Sequence, residues 1–158
     1  MRQEQKSKIV IMRAPMSLSG RATDTSESCD TQGFNDALVV MARGTGASLP
    51  QEVYIQESDN GSKWTTIAEA EVGNAACVGI GGTAIALSDF GENETVMFHI
   101  DLRKRRRYLN VFIENSAGAF DWSVCALLAE PSNLVNITST VLVSSEGSGT
   151  EAYCRVPV

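Results

Sequence analysis

The stretch Glu52-Val53-Tyr54-Ile55-Gln56-Glu57, followed by Ser58-Asp59-Asn60-Gly61 and then Lys63-Trp64-Thr65-Thr66-Ile67, decides the fold. Val53 and Ile55 fall on one face of an extended chain and Tyr54 and Gln56 on the other, the period-two pattern of a half-buried strand. Asn-Gly tolerates the positive φ that a tight reversal needs, so residues 58–61 read as a turn and 63–67 as the returning strand. The segment is a β-hairpin with a physical mechanism at each step.

Working outward, the same pattern recurs. Residues 36–43, DALVVMAR, form a short apolar run bounded by polar and glycine-rich flanks, the length of a buried strand. In 96–102, VMFHIDL, Phe98, Ile100 and Leu102 share a face, and in 108–114, YLNVFIE, Leu109, Val111 and Ile113 do so. Residues 122–129, WSVCALLA, add another strand, closed by Glu130-Pro131 because proline cannot donate to a central ladder. No window carries a capped helical stripe. Many short strands with Gly and Asn turns predict an all-β chain, an antiparallel β-sandwich or jelly-roll-like barrel. The expected organisation is an extended N-terminal arm over 1–30, a sandwich core over 31–131 and C-terminal strands or tail over 132–158. An inserted Gly/Ala-rich loop is expected over 72–94 and a late turn over 144–150.

Composition narrows the function classes. The 158 residues hold 13 Lys+Arg against 19 Asp+Glu, a net charge of −6, which disfavours a nucleic-acid binder. No stretch approaches the roughly 18 uninterrupted apolar residues of a membrane helix, and the start MRQEQKSKIVIMR reads as untargeted, with no membrane contact expected. Cys29, Cys77, Cys125 and Cys154 form no CxxC pair, and with a single histidine the chain offers no metal site; free thiols are expected, and no cofactor. Charge is unevenly distributed. Residues 1–21 hold Arg2, Lys6, Lys8, Arg13 and Arg21 against Glu4 alone, while 22–102 hold two basic and thirteen acidic residues. The run Arg103-Lys104-Arg105-Arg106-Arg107 follows, then a nearly neutral tail.

Four segments in order, TQGFNDALVVMARGTG (31–46), VYIQESDNGSKWTTIAEAE (53–71), FHIDLRKRRRYLNVFIENSAG (98–118) and ALLAEP (126–131), resemble the small head-decoration or cement proteins of tailed bacteriophages. The elements that carry the resemblance are a QGF-x-x-A strand start, a QESD-x-G-x-x-aromatic hairpin and an L-x-x-K-R-Y-like strand entry. The resemblance implies a structural virion protein without catalysis. It would be made in the host cytoplasm and carried on the capsid exterior, bind the major capsid protein and tie neighbouring subunits together as a homo-oligomer, with a trimer preferred over a dimer. The basic run here is longer than the family's short element, and the 72–94 loop and the chain after Pro131 have no counterpart. The expected capsid or subunit contacts are Arg2, Lys6, Lys8, Arg13 and Arg21 of the basic head, with Arg103, Lys104, Arg105 and Arg106 of the run, meeting an acidic shell exterior.

Other readings of these residues stand beside that one. The basic run also fits a charge cluster that keeps strand edges from pairing. If Arg107 enters its strand in phase with Leu109, it points toward the core and needs a carboxylate partner. His99 reads as structural; catalysis would require a thiol within hydrogen-bond reach of it. Glu69 and Glu71, like Glu92 and Glu94, read as a solvated acidic surface, and the triplets at Asn60, Asn93 and Asn136 as chance glycosylation matches. Trp64 and Trp122 read as packing residues. Were they exposed beside a carboxylate, the chain would instead be a carbohydrate- or receptor-binding β-module of a phage tail or virion surface.

Overall fold

The computed structural model describes residues 7–46, 48–79 and 83–129, and the backbone of 151–156. Among these are ten strands: β1 (Ser7–Ser19), β2 (Ala22–Thr25), β3 (Cys29–Asp30), β4 (Asp36–Arg43), β5 (Pro50–Ser58), β6 (Thr65–Glu71), β7 (Thr95–Asp101), β8 (Tyr108–Asn115), β9 (Ala119–Ala129) and β10 (Glu151–Val156). One sheet runs in the order β1-β9-β4-β7-β10; the other runs β2-β8-β5-β6, with β3 also on β8. Every pairing is antiparallel except β10 with β7. The chain is an all-β sandwich.

Alternation makes the core. Ala37, Val39 and Met41 of β4, Val96, Phe98 and Ile100 of β7 and Phe120, Trp122, Val124, Ala126 and Leu128 of β9 are buried from the first sheet. Val53 and Ile55 of β5 with Leu109, Val111 and Ile113 of β8 are buried from the second. The hairpin forms as the sequence indicates. Ser58 Oγ accepts from the amides of Asn60 (3.3 Å) and Gly61 (3.0 Å), and Asn60 Oδ1 accepts from those of Ser62 (2.9 Å) and Lys63 (3.1 Å). Gly61 takes a φ of +71°, where glycine alone is unstrained. The returning strand begins two residues late, at Thr65, and runs on to Glu71. A bulge between its two paired stretches lets both Ile67 and Ala70 face the core.

Residues 7–30, expected as an arm, are strands of both sheets. β1 pairs along β9 from Ser7↔Ala129 to Ser19↔Ala119 through two irregularities. β2 and β3 share one edge of β8, opposite Asn115–Phe112 and Leu109–Tyr108. Between them the Ser26 hydroxyl replaces main chain: Ser26 N donates to Val111 O (2.8 Å) and Val111 N to Ser26 Oγ (2.9 Å). Glu27 N then donates to Met12 O (2.7 Å), fastening the two sheets along that side. The order comes from pairings about a hundred residues distant, which local composition does not record.

The 72–94 loop also contributes to the core. Val72, Cys77, Ile85 and Phe90 are buried, and a short 3-10 turn spans Leu87–Asp89. The strand predicted over 96–102 ends at Asp101, with Leu102 buried in the following turn. Cys29 and Cys125 are free thiols, and burial pushes Cys29 up to about 11; Cys77 is buried. The side chain of Cys154, the predicted 144–150 turn, Pro131 and Asn136 lie outside the described residues.

Candidate functional site: the charged end of the sandwich

The connection from β7 to β8 crosses from one sheet to the other, and it contains the whole basic run. Asp101 starts the crossing by accepting from Arg103 N (3.1 Å) at the head of the 3-10 turn Leu102–Lys104. Leu102 is buried, and its amide donates to Asn35 O (2.8 Å). The chain then reaches β8 through Arg105, Arg106 and Arg107, held between them by carboxylates of β3, β5, β6 and the β5–β6 turn.

Arg103 closes back on Asp101, Nε to Oδ1 at 2.9 Å. Arg105 lies 4.0 Å from Glu57 and 3.9 Å from Glu69. Arg106 donates its amide to Glu57 Oε2 (3.2 Å) and a guanidinium nitrogen to Thr65 Oγ1 (3.2 Å), with Asp59 at 3.6 Å. Arg107 forks onto Asp30 at 2.9 and 2.7 Å and lies over the Tyr108 ring at 5.0 Å. Its carbonyl accepts from Thr31 N (2.9 Å) and Thr31 Oγ1 (2.7 Å). Arg107 thus has its carboxylate, at the surface rather than toward the core. The guanidinium bonds hold Asp30 and Asp101 down at about 2.

These contacts join segments that the sequence keeps apart: Asp30–Asn35, Glu57–Asp59 with Thr65 and Glu69, Asp101–Tyr108, and Ala129, whose carbonyl accepts from Asn35 N (3.3 Å). His99 belongs to the same end, with Nε2 3.0 Å from Asp36 Oδ1.

The predicted contact residues separate accordingly. Arg103, Lys104, Arg105 and Arg106 are together at this end, with Arg103 and Lys104 exposed and Arg105 and Arg106 half-buried. Lys8 is exposed near the start of β1, close enough to act electrostatically on Cys29 and Asp30. Arg13 lies farther along β1, half-buried, bound to Asp24 and to Thr25 O (2.7 Å), with its guanidinium over Trp122 at 5.9 Å. Arg21 is exposed in the turn at the opposite end, and Arg2 and Lys6 lie outside the described residues. Two groups escaped the sequence reading. One is the set of acidic partners, whose spacing carries no common signal. The other is the pair Ile9 and Ile11, 73% and 69% exposed on β1. A period-two reading of IVIM would have flagged them.

Trp122 is 1% exposed and Trp64 half-buried, so the two do not form the exposed platform a sugar site would use. Among the described residues no three metal-ligating groups come together, and no helix is long and apolar enough to cross a membrane.

No family model matches the chain, and no curated protein does. Among solved structures, the SPBc2 prophage-derived protein YomS is similar at 10% identity with a TM-score of 0.46, over 78% of this chain and 93% of that chain.

Proposed function

We propose that this chain is a structural protein of a tailed-phage virion, without a catalytic role, that binds the outside of the shell and ties neighbouring major capsid subunits together. One observation carries the reading. The sequence elements that resemble decoration proteins, the QGF strand start, the QESDNG hairpin and the basic strand entry, converge on one end and are fastened there by Arg106 to Glu57 and Asp59 and by Arg107 to Asp30. That end presents Lys8 and Lys104 outward, with Arg103 exposed beside them on Asp101, while Arg105 and Arg106 are half-buried against Glu57, Asp59 and Glu69. Many copies on a repeating shell convert modest single-site affinity into firm attachment.

The test is cosedimentation of the chain with shells at low and high salt, with shell melting followed on the same samples. Saturable binding at a fixed ratio to capsid subunits, a raised shell melting temperature and weakening of both by salt are expected. The double variant K8E/K104E should lose most of the binding while keeping its own melting temperature. Failure of the wild-type chain to bind, or binding indifferent to both salt and K8E/K104E, overturns the proposal.

A further inference from the structure

β1 closes one side of the first sheet, and its first half leaves both side chains and main chain open. Ile9 and Ile11 are 73% and 69% exposed, on the face of the sheet turned away from the core. They end two apolar rows that cross that face. Ile9 lies beside Leu127 and, beyond it, Leu38; Ile11 lies beside Cys125, then Val40, then Met97. Leu38 and Met97 are buried, Leu127, Cys125 and Val40 half-buried, and the rows open fully only at β1.

Hydrogen-bond phase shows where the main chain of the two isoleucines points. At the close of β4, Arg43 N donates to Glu94 O (3.0 Å) on the β7 side, and the next amide, Gly44 N, to Asp121 O (2.8 Å) on the β9 side. Alternate residues of an antiparallel strand turn N–H and C=O to the same side, so Leu38 and Val40, in phase with Gly44, face β9. Their partners Leu127 and Cys125 give both groups to β4 in return. Ile9 and Ile11 stand opposite Leu127 and Cys125 in unbroken register, and their own N–H and C=O are therefore directed away from β9.

Among the described residues no strand pairs with that side of β1. Features that close an edge begin only after Ile11: two register irregularities, Pro15, and Met12 O, which accepts from Glu27 N (2.7 Å). Lys8 alternates to the other face.

Such an edge is complementary to itself. A two-fold axis perpendicular to the sheet, passing between Val10 of one copy and Val10 of the other, runs the two β1 strands antiparallel and sets Ile9 of each opposite Ile11 of its partner. Opposed residues whose groups face each other exchange two hydrogen bonds, so the four isoleucines form four. Each apolar row then continues from Ile9 of one copy into Ile11, Cys125 and Val40 of the other. Lys8 falls opposite Met12, and no like charges meet. Shifting the register by one residue would set Ile11 against Val10, whose groups belong to β9, and Lys8 against Arg13. We propose that the open edge of β1 docks a second copy of the chain about this axis, joining the two first sheets into one continuous sheet. The proposal stands independently of the shell-binding reading, which uses the charges of the β7–β8 end and Lys8.

Sedimentation equilibrium of the full chain over a wide concentration range, at low and high salt, tests it. A monomer–dimer equilibrium little changed by salt is expected, since main-chain bonds and apolar contact carry it. Ile9→Pro removes an N–H that the single chain leaves without a strand partner, and should raise the dimer dissociation constant at least about tenfold with little change in melting temperature. I9T/I11T keeps the strand preference, removes the apolar contact and should act in the same direction by a similar factor. Should Ile9→Pro melt early, I9T/I11T decides. A trimer, or a dimer indifferent to I9T/I11T, overturns the proposal. So does a chain monomeric at all concentrations; loss of shell binding by I9T/I11T would then give the edge to a strand of the shell instead.

Discussion

The two ends of the sandwich handle arginine in opposite ways. At the charged end four arginines lie near the surface and meet five carboxylates drawn from β3, β5, β6, β7 and the β5–β6 turn. At the other end Arg43, at the close of β4, is 3% exposed and forms no ion pair in the described structure. Its guanidinium instead donates to three backbone carbonyls, Phe90 O (3.2 Å), Gly46 O (2.5 Å) and Ser48 O (2.6 Å), and lies 5.2 Å from the Phe120 ring centroid. Burial lowers its pKa, offset by the charges of Glu92 and Glu94. Gly46 in that loop has a φ of +148°, and a Cβ there would stand 2.3 Å from Ala119 O. The close approach of that loop to β9 therefore requires glycine at 46. The conspicuous cluster is largely satisfied surface chemistry, and the inconspicuous single residue organises an end of the fold.

The comparison breaks most directly at Arg43. Arg43→Met removes the donor to three carbonyls and should cost about 3–4 kcal/mol of stability, read by denaturant unfolding. A lysine there cannot span the three acceptors and should rescue little of the loss. A loss below about 1 kcal/mol would mean that water replaces the guanidinium and that the two ends differ only in appearance.

Acid sharpens the comparison, because the charged end holds two carboxylates, Asp30 and Asp101, far below their ordinary range. Asp30 and Asp101 stand at about 2 when folded against 3.8 ordinarily. A depressed folded pKa contributes stability that is present above the unfolded value and is lost as pH falls toward the folded one. Melting temperature should therefore fall between about pH 4 and pH 2, and R107Q should flatten the part of that decline owed to Asp30. The smallest expected effect is at neutral pH: R106Q/R107Q removes two exposed pairs and should leave the denaturant midpoint nearly unmoved, measured by the same unfolding experiment.

What the sequence discloses follows the range of the interactions. Strands at 36–43, 108–114 and 122–129 are visible because alternation is local, and the 58–61 turn is visible because Asn60 and Gly61 bond within four residues of Ser58. β1, β2 and β3 are not, since Pro15, Gly20 and many hydroxyl residues dilute their pattern and their partners are in β8 and β9. The basic run is legible as charge but not as site: Glu57, Glu69 and Asp30 are ordinary surface carboxylates until the fold brings them to it. Arg43 gives no signal at all, being one arginine at the end of an apolar strand.

The pairing of β1 with β9 also sets a timetable. Ser7 waits for Ala129, and the strand that holds Ala129, β9, is among the last made. At ribosomal rates of about 5–20 residues per second the interval is roughly 6–24 s. During it the run Ile9-Val10-Ile11-Met12 lacks its strand partner β9, and such a run is prone to intermolecular strand pairing. Lys6 and Lys8 before it and Arg13 after it are placed as gatekeepers of a nascent chain. The basic head thus has work to do before any folded surface exists.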